Sequence, residues 1–212
     1  MTTEGSALLR PDKPLGKILS AILDQFVLNL LFMLCAMPVI TLGAAAISLY
    51  EQEYAIWESR DTQLVRSYLR GVLRNFFKGL ALLGIGAVMA VAGMGIWSSL
   101  ILLGLPVRPT AAVIAWIVGG IFLWFLGLTG RYEQKTGITF RNAYILAIRK
   151  LPVTLALGLI DLGCPALLLV VPETLWAGYL FFLLFFFSAT AACLSAGLLL
   201  HTLKKVDAEG DE

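Results

Sequence analysis

The feature that most limits the fold of this chain is a set of long stretches without any charged residue. Gln25–Tyr50, Gly79–Val107 and Thr174–Leu200 contain no Asp, Glu, Lys or Arg. About 20 apolar residues in a helix are enough to cross the hydrocarbon core of a bilayer. The apolar residues are continuous, whereas the strands of a membrane barrel alternate polar and apolar residues. The sequence therefore predicts an all-α, polytopic transmembrane helical bundle.

Composition supports the same conclusion and argues against a soluble enzyme. Apolar residues make up 59% of the chain and charged residues only 14%, against about 45–50% and about 25% in soluble domains. The three cysteines, Cys35, Cys164 and Cys193, lie separately in apolar stretches, with no CxxC or His/Cys cluster. We therefore expect small packing residues here rather than a disulfide framework or a metal site.

The first apolar region is compatible with two topologies. It forms either one span over Gln25–Tyr50, kinked at Pro38, or a hairpin that turns at Pro38 and returns over Val39–Trp57. Cytoplasmic loops collect Lys and Arg. Five crossings place twelve of the sixteen basic residues on one side of the membrane and four on the other, whereas six crossings place fifteen against one. The charges therefore favour six crossings.

The domain organisation follows from the same pattern. Residues 1–17 form an N-terminal tail, residues 18–203 one transmembrane domain that includes an amphipathic segment at 62–78, and residues 204–212 a charged C-terminal tail. Both topologies place the C-terminus in the cytoplasm. The six-crossing topology also requires Glu51 and Glu53 to lie near the inner interface or in a wet groove, because acids are costly deeper in the bilayer.

A basic stripe runs along the amphipathic segment. Arg66, Arg70, Arg74 and Lys78 recur at four-residue spacing and fall on one side of a helix. This is typical of a helix that lies on a membrane with its cations toward anionic lipid. Two interpretations stay open: the segment only leads into the next span, or it forms a surface that binds lipid or a partner protein.

A second segment resembles this one. Tyr-Glu-Gln occurs at residues 50–52 and again at 132–134. With a gap of about six residues, four later positions also align: Leu64, Tyr68, Val72 and Arg74 with Phe140, Tyr144, Ile148 and Lys150. Each copy then enters an apolar stretch. Internal repeats of this kind build many membrane bundles, although a match this short also arises by chance.

The N-terminal third carries a recognisable motif. Leu28–Tyr50 reads LNLLFMLCAMPVITLGAAAISLY, and Tyr68–Gly79 reads YLRGVLRNFFKG. Together they resemble the YesL-like family, bacterial integral membrane proteins of unknown function. Two positions depart from the family pattern. Ser48 stands where the pattern has alanine, and Phe77 is inserted before the lysine of the N-F-K element, which is therefore Lys78.

The resemblance implies a setting rather than an activity. Members of the family are typically encoded beside carbohydrate uptake systems, so it implies an accessory role in a bacterial cytoplasmic membrane. It assigns no catalytic or binding residue. The partners it implies are a sugar ABC-type permease or a sensor kinase, besides membrane lipid, and a homo-oligomer is left open.

Three residues of the motif have direct physical roles in a hairpin. Pro38 breaks a helix because it cannot donate a helical hydrogen bond. Gly43 lets a second helix approach closely, as small residues do in membranes. Thr41, together with Asn29, can bond across helices or satisfy the carbonyls that the break leaves free. We expect a structural hairpin from them.

Asp161 is the most informative single residue, because it lies in the middle of an apolar stretch. A carboxylate at this depth is by default a functional hypothesis, so Asp161 is a candidate for cation binding, proton transfer or polar-substrate contact. The alternative is a neutral carboxyl or one paired with a neighbouring helix. Asp24 and Asn29 share a helical face and complete a candidate intramembrane polar site.

The sequence contains no P-loop, GxSxG, HExxH or dinucleotide fingerprint. We therefore expect no enzyme activity, no cofactor and no metal. A net charge of only +2 also argues against a nucleic-acid partner. The favoured function is a non-enzymatic accessory component of carbohydrate uptake. The alternative is a small secondary transporter or channel with Asp161 in its pathway.

The position of the N-terminus separates six crossings from five. We expect single cysteines at Ser6 and Asp211, introduced after replacing the three native cysteines, to be shielded from a membrane-impermeant maleimide in intact cells. Both should be labelled after permeabilisation, because six crossings place both termini inside. Labelling of position 6 alone in intact cells would establish five crossings.

Overall fold

The computed structural model describes residues 14–58, 63–102, 107–161, 163, 171–183 and 187–210. Residues 1–13 of the predicted N-terminal tail, Cys164 and the last two residues of the C-terminal tail lie outside it. Its regular structure is helical, as predicted, with two short 3-10 helices at Val39–Thr41 and Glu173–Leu175. The α-helices are α1 Pro14–Ala36, α2 Leu42–Trp57, α3 Leu64–Arg74, α4 Phe76–Leu102, α5 Val107–Arg131, α6 Thr136–Arg149, α7 Leu151–Asp161, α8 Trp176–Phe182 and α9 Ser188–Gly210.

Two of these helices are long and apolar enough to cross a membrane, over Leu19–Ala36 in α1 and Phe76–Gly95 in α4. A third candidate is the pair α6 and α7, which meet at a bend of 103°. A shorter apolar segment occupies Trp116–Arg131 in α5. These findings support a membrane protein, and the number of crossings, five or six, stays a prediction.

Helices α1 and α2 pack against each other and run in opposite directions. The amide of Gln25 donates a hydrogen bond of 3.0 Å to Glu53, and these two residues lie equally far on either side of Val39. The chain turns at Met37 and Pro38, and the Thr41 hydroxyl donates to the carbonyls of Cys35 and Pro38. The geometry at Pro38 is thus a hairpin rather than one kinked helix.

Helix α2 is the centre of the bundle. It packs against α1, α3, α4, α5 and α9. A Cβ on Gly43 would overlap the backbone of Gly79 in α4, and a Cβ on Gly79 would overlap the backbone of Ala44. Only glycine permits two helices to approach this closely. The two segments of the sequence motif therefore meet backbone to backbone.

The bend between α6 and α7 is held by Thr154. Its hydroxyl donates to the carbonyl of Ala147, at 2.8 Å, and accepts a 2.9 Å bond from the indole N–H of Trp124 in α5. In the repeat suggested by the sequence, α5, α6 and α7 correspond to α2, α3 and α4. The aligned residues differ in burial, since Tyr68 of α3 is fully buried whereas Tyr144 of α6 is 51% exposed.

Apolar side chains cover much of the outer surface. On α1 they recur at helical spacing and include Ile22, Leu23, Phe26 and Leu34. The polar side chain of Asn29 on the same helix is buried, at 1% exposed. Large exposed apolar surfaces mark contact with membrane or protein, so this inside-out distribution agrees with a lipid environment.

The backbone contact at Gly79 predicts a strong asymmetry between two glycines of α4. Gly79→Ala should lower the free energy of unfolding by about 1–3 kcal/mol, because overpacking forces helices apart. Gly84→Ala is the matched control, since a Cβ there meets nothing within 4 Å, and it should cause no loss. Thermal unfolding of the purified variants in detergent measures both, and equal melting temperatures would contradict the close approach.

Candidate functional site

A polar cavity of about 420 Å³ lies where α2, α3, the start of α4 and the end of α5 meet. We call it the basic cavity, because four basic residues line it: Arg70, Arg74, Lys78 and Arg131. Glu51 and Glu133 are its acidic residues. Its lining also includes Gly71 and Gly130. At these two glycines the backbones of α3 and α5 come close to α2.

Glu51 holds one side of the basic cavity in place. Its carboxylate pairs with the guanidinium of Arg74 at 2.9 Å and accepts a 2.8 Å bond from the amide of Asn75. Asn75 is almost fully buried, whereas the Arg74 side chain is 60% exposed. Glu51 therefore ties α2 to the junction of α3 and α4.

Arg131 holds the other side. It pairs with Glu58 of α2 at 3.1 Å and with Asp207 of α9 at 3.7 Å. The Tyr132 hydroxyl donates to the same Asp207 at 2.8 Å. Partial burial raises the pKa of Tyr132, the bond from Arg131 lowers it in part, and the bond to Asp207 raises it, so the net direction is upward. A smaller cavity of about 220 Å³ adjoins this network beside Tyr54.

Two buried polar atoms at the basic cavity have no hydrogen-bond partner within the described chain. They are Oε1 of Gln52 and the hydroxyl of Thr129, and both residues line the cavity and are more than nine-tenths buried. The amide nitrogen of Gln52 is already used, since it donates 3.1 Å to Ser67. A buried polar group without a partner costs roughly 1–3 kcal/mol, so these atoms favour a bound polar molecule or water.

The residues of the basic stripe do not share one environment. Arg66, Arg70 and Arg74 are all exposed, but only Arg70, Arg74 and Lys78 line the basic cavity, and Arg66 lies outside its lining. The sequence grouped all four by spacing. Which of them faces a cavity depends on the helices packed beside them.

Helix α3 also presents an apolar row that the basic spacing did not indicate. Val65, Leu69 and Leu73 recur every four residues and continue to Phe77 at the start of α4. All are exposed, with Leu73 at 78% and Phe77 at 80%. This apolar row borders the basic stripe on the helix surface.

The predicted intramembrane residues are not brought together into one site. Asp161 accepts a hydrogen bond from Ser195 of α9. Asn29 of α1 accepts bonds from Ser188 and from the backbone N–H of Ala189, also in α9. Asp161 lines neither the basic cavity nor the smaller cavity beside Tyr54.

Glu53 is fully buried within the bundle. Its side chain is 0% exposed, bonded to Gln25 and close to Asp24 and Cys193. Its expected place near the inner interface or in a wet groove stays a prediction. Glu53 lies three residues after Tyr50, so the two share one side of a helix, and Tyr50 is buried as well. Among the residues described, no group of three His, Cys, Asp or Glu side chains could hold a metal ion.

Residues 26–99 match the family model described as "Protein of unknown function, DUF624". The matched segment runs from α1 into α4 and contains both halves of the sequence motif. No curated protein and no solved structure shows a significant match to this chain. The match therefore assigns a family domain to residues 26–99 and indicates neither a substrate nor a partner.

The two bonds of Glu51 differ in burial, which predicts unequal effects of substitution. Glu51→Ala should lower the free energy of unfolding by about 1–3 kcal/mol, because it leaves the buried Asn75 amide unpaired. Arg74→Ala should cost less than about 1 kcal/mol, because its side chain is largely in solvent. Chemical unfolding of both variants and of the double variant measures the difference, and equal losses would contradict this account.

Proposed function

We propose that this protein is a non-enzymatic integral membrane protein of the bacterial cytoplasmic membrane that acts through contact with another membrane protein. The partner is a permease or a sensor kinase of a carbohydrate uptake system. The observation that carries the proposal is the surface of α3. Its apolar row and its basic stripe both reach the outside, while its inner face is tied to α2.

The inner face of α3 is firmly attached to the bundle. The buried Tyr68 hydroxyl donates to the carbonyl of Ala45 at 3.2 Å, and Asn75, directly after α3, bonds Glu51. The outer face is left with Leu73 and Arg66, both exposed. A rigid helix with neighbouring apolar and basic rows is suited to a partner surface or to the membrane interface.

Helix α6 offers a second surface of the same kind. Tyr144, Ile145 and Ile148 are exposed, as is Arg149. The segments predicted from the sequence, residues 62–78 and 139–150, are therefore both our docking candidates.

A six-crossing topology places both docking helices on the cytoplasmic side. The proposed crossings are α1, α2, α4, α5, the segment that begins with α7, and the segment Thr174–Leu200, which contains α8 and the first part of α9. Helices α3 and α6 each follow one crossing and precede the next, and the 103° bend after α6 supports a change from interfacial to transmembrane direction. The positive-inside distribution of basic residues supports the same assignment.

The carbohydrate setting rests on the resemblance of Leu28–Tyr50 and Tyr68–Gly79 to the YesL-like family. The match of residues 26–99 to a family of unknown function is compatible with that setting and supplies no partner of its own. The alternative function, a small transporter or channel, requires a water-filled path to Asp161. Nothing in the geometry of Asp161 and Ser195 favours it over the contact function.

Partner contact predicts a specific effect of charge reversal. Purification of the tagged protein from its native membrane in mild detergent should recover a permease or a sensor kinase in stoichiometric amount. Combined reversal of Arg66, Arg70 and Arg74 to Glu should abolish this recovery, because like charges across an interface cost several kcal/mol.

The matched control is reversal of Lys204 and Lys205, which are exposed on α9 and lie outside both docking helices. It should leave recovery unchanged. Equal recovery with the α3 variant would overturn the proposal. Recovery of the protein alone, together with solute uptake in vesicles that Asp161→Asn abolishes, would establish the transporter instead.

A further inference from the structure

We infer that the basic cavity is a binding site for a phosphorylated polyol, either as the headgroup of an anionic glycerophospholipid or as a free polyol phosphate. The inference does not rest on the proposed partner contact. It rests on the cations of the cavity, on its two unpartnered polar atoms and on its size.

The charges of the cavity are unequally satisfied. Arg74 is paired with Glu51, and Arg131 is paired with Glu58 and Asp207. Within the described residues, Arg70 and Lys78 form no ion pair. They lie two helical turns apart along the basic stripe, on either side of Arg74. The cavity therefore combines two cations outside any described ion pair with one guanidinium that Glu51 holds in place, and Glu133 is the other carboxylate in its lining.

An oxyanion is the ligand that such a set of cations recognises. Guanidinium groups bind phosphate through parallel N–H···O bonds, and lysine adds a mobile point charge. A phosphate diester shares one negative charge between two oxygens, which suits cations that lie on either side of Arg74. Its binding would offset their mutual repulsion, which nothing else in the described chain does at ion-pair distance.

The unpartnered atoms specify the rest of the ligand. Thr129 offers a hydroxyl that can donate, and Gln52 offers a carbonyl oxygen that accepts, both at the cavity wall and both almost fully buried. A molecule with several hydroxyl groups satisfies both kinds of atom, whereas an inorganic phosphate ion bound by the cations presents mainly acceptor oxygens. The volume of about 420 Å³ falls within the range of small-molecule sites, roughly 300–1,000 Å³.

The surroundings of the cavity accommodate either source. Leu73 and Phe77, beside the basic stripe, are exposed apolar side chains. The acyl chains of a lipid can therefore lie along the apolar row while the headgroup enters. A free polyol phosphate would enter from the cytoplasmic side in the proposed topology.

The test uses the full chain in an uncharged detergent and isothermal titration calorimetry. The probes are dihexanoylphosphatidylglycerol and glycerol 1-phosphate, with glycerol and glycerate as controls without phosphate. Arg70→Gln and Lys78→Gln should each raise the Kd about tenfold or more, because each removes a charge-assisted bond. Arg66→Gln, from the same stripe, should change the Kd less than about twofold, since Arg66 lies outside the cavity lining and a charge at a distance in solvent is screened.

Thr129→Val supplies a second, independent test. It replaces an unpartnered buried hydroxyl by an apolar group of the same shape, so the fold is retained. It should weaken the binding of dihexanoylphosphatidylglycerol and of glycerol 1-phosphate more than the binding of inorganic phosphate. Thermal unfolding of each variant shows whether it has folded, and Lys78→Gln and Thr129→Val test the site even if Arg70→Gln does not fold.

The outcomes distinguish a lipid headgroup from a free polyol phosphate, and both from failure of the inference. Binding of the lipid alone identifies a headgroup site, and binding of both phosphates identifies recognition of the polyol phosphate itself. Equal binding of glycerate, an equal loss with Arg66→Gln, or no binding of either phosphate would overturn the inference. None of these results depends on recovery of a partner protein.

Discussion

The close approach of α2 and α4 at Gly43 and Gly79 is the contact on which the rest of the bundle depends. One turn before Gly79, Asn75 reaches Glu51, and with it the junction of α3 and α4 is attached to α2. A larger residue at either glycine would move α4 away from α2. The basic cavity, which is built on this junction, would then lose one of its walls.

Polar contacts in the interior determine which helices are neighbours. Lipid is as apolar as leucine, so apolar side chains give little preference for one helix partner over another. Bonds between Asn29 and Ser188, Gln25 and Glu53, and Trp124 and Thr154 each connect two different helices, through residues at least 28 positions apart. These bonds, together with the small residues of α2, specify the arrangement.

The two acids of the segment Tyr50–Glu53 lie on different sides of α2. Glu51 faces the basic cavity and pairs with Arg74. Glu53, two residues later, faces α1 and is fully buried with Gln25. A separation of two residues is about 200° around a helix, so the acids necessarily point to different sides. The sequence places both acids on one short segment, and only the packed helices show which elements cover each of them.

The sequence by itself determined the helical class, the apolar stretches, the break at Pro38 and the amphipathic character of residues 62–78. Each of these follows from local properties: charge, hydropathy, proline geometry and four-residue spacing. Only the tertiary structure decided that Arg70, Arg74 and Lys78 line a cavity while Arg66 does not, and that Asp161 and Asn29 bond to different parts of α9. Those facts depend on residues far apart in the chain, and periodicity along one helix carries no information about what packs against it.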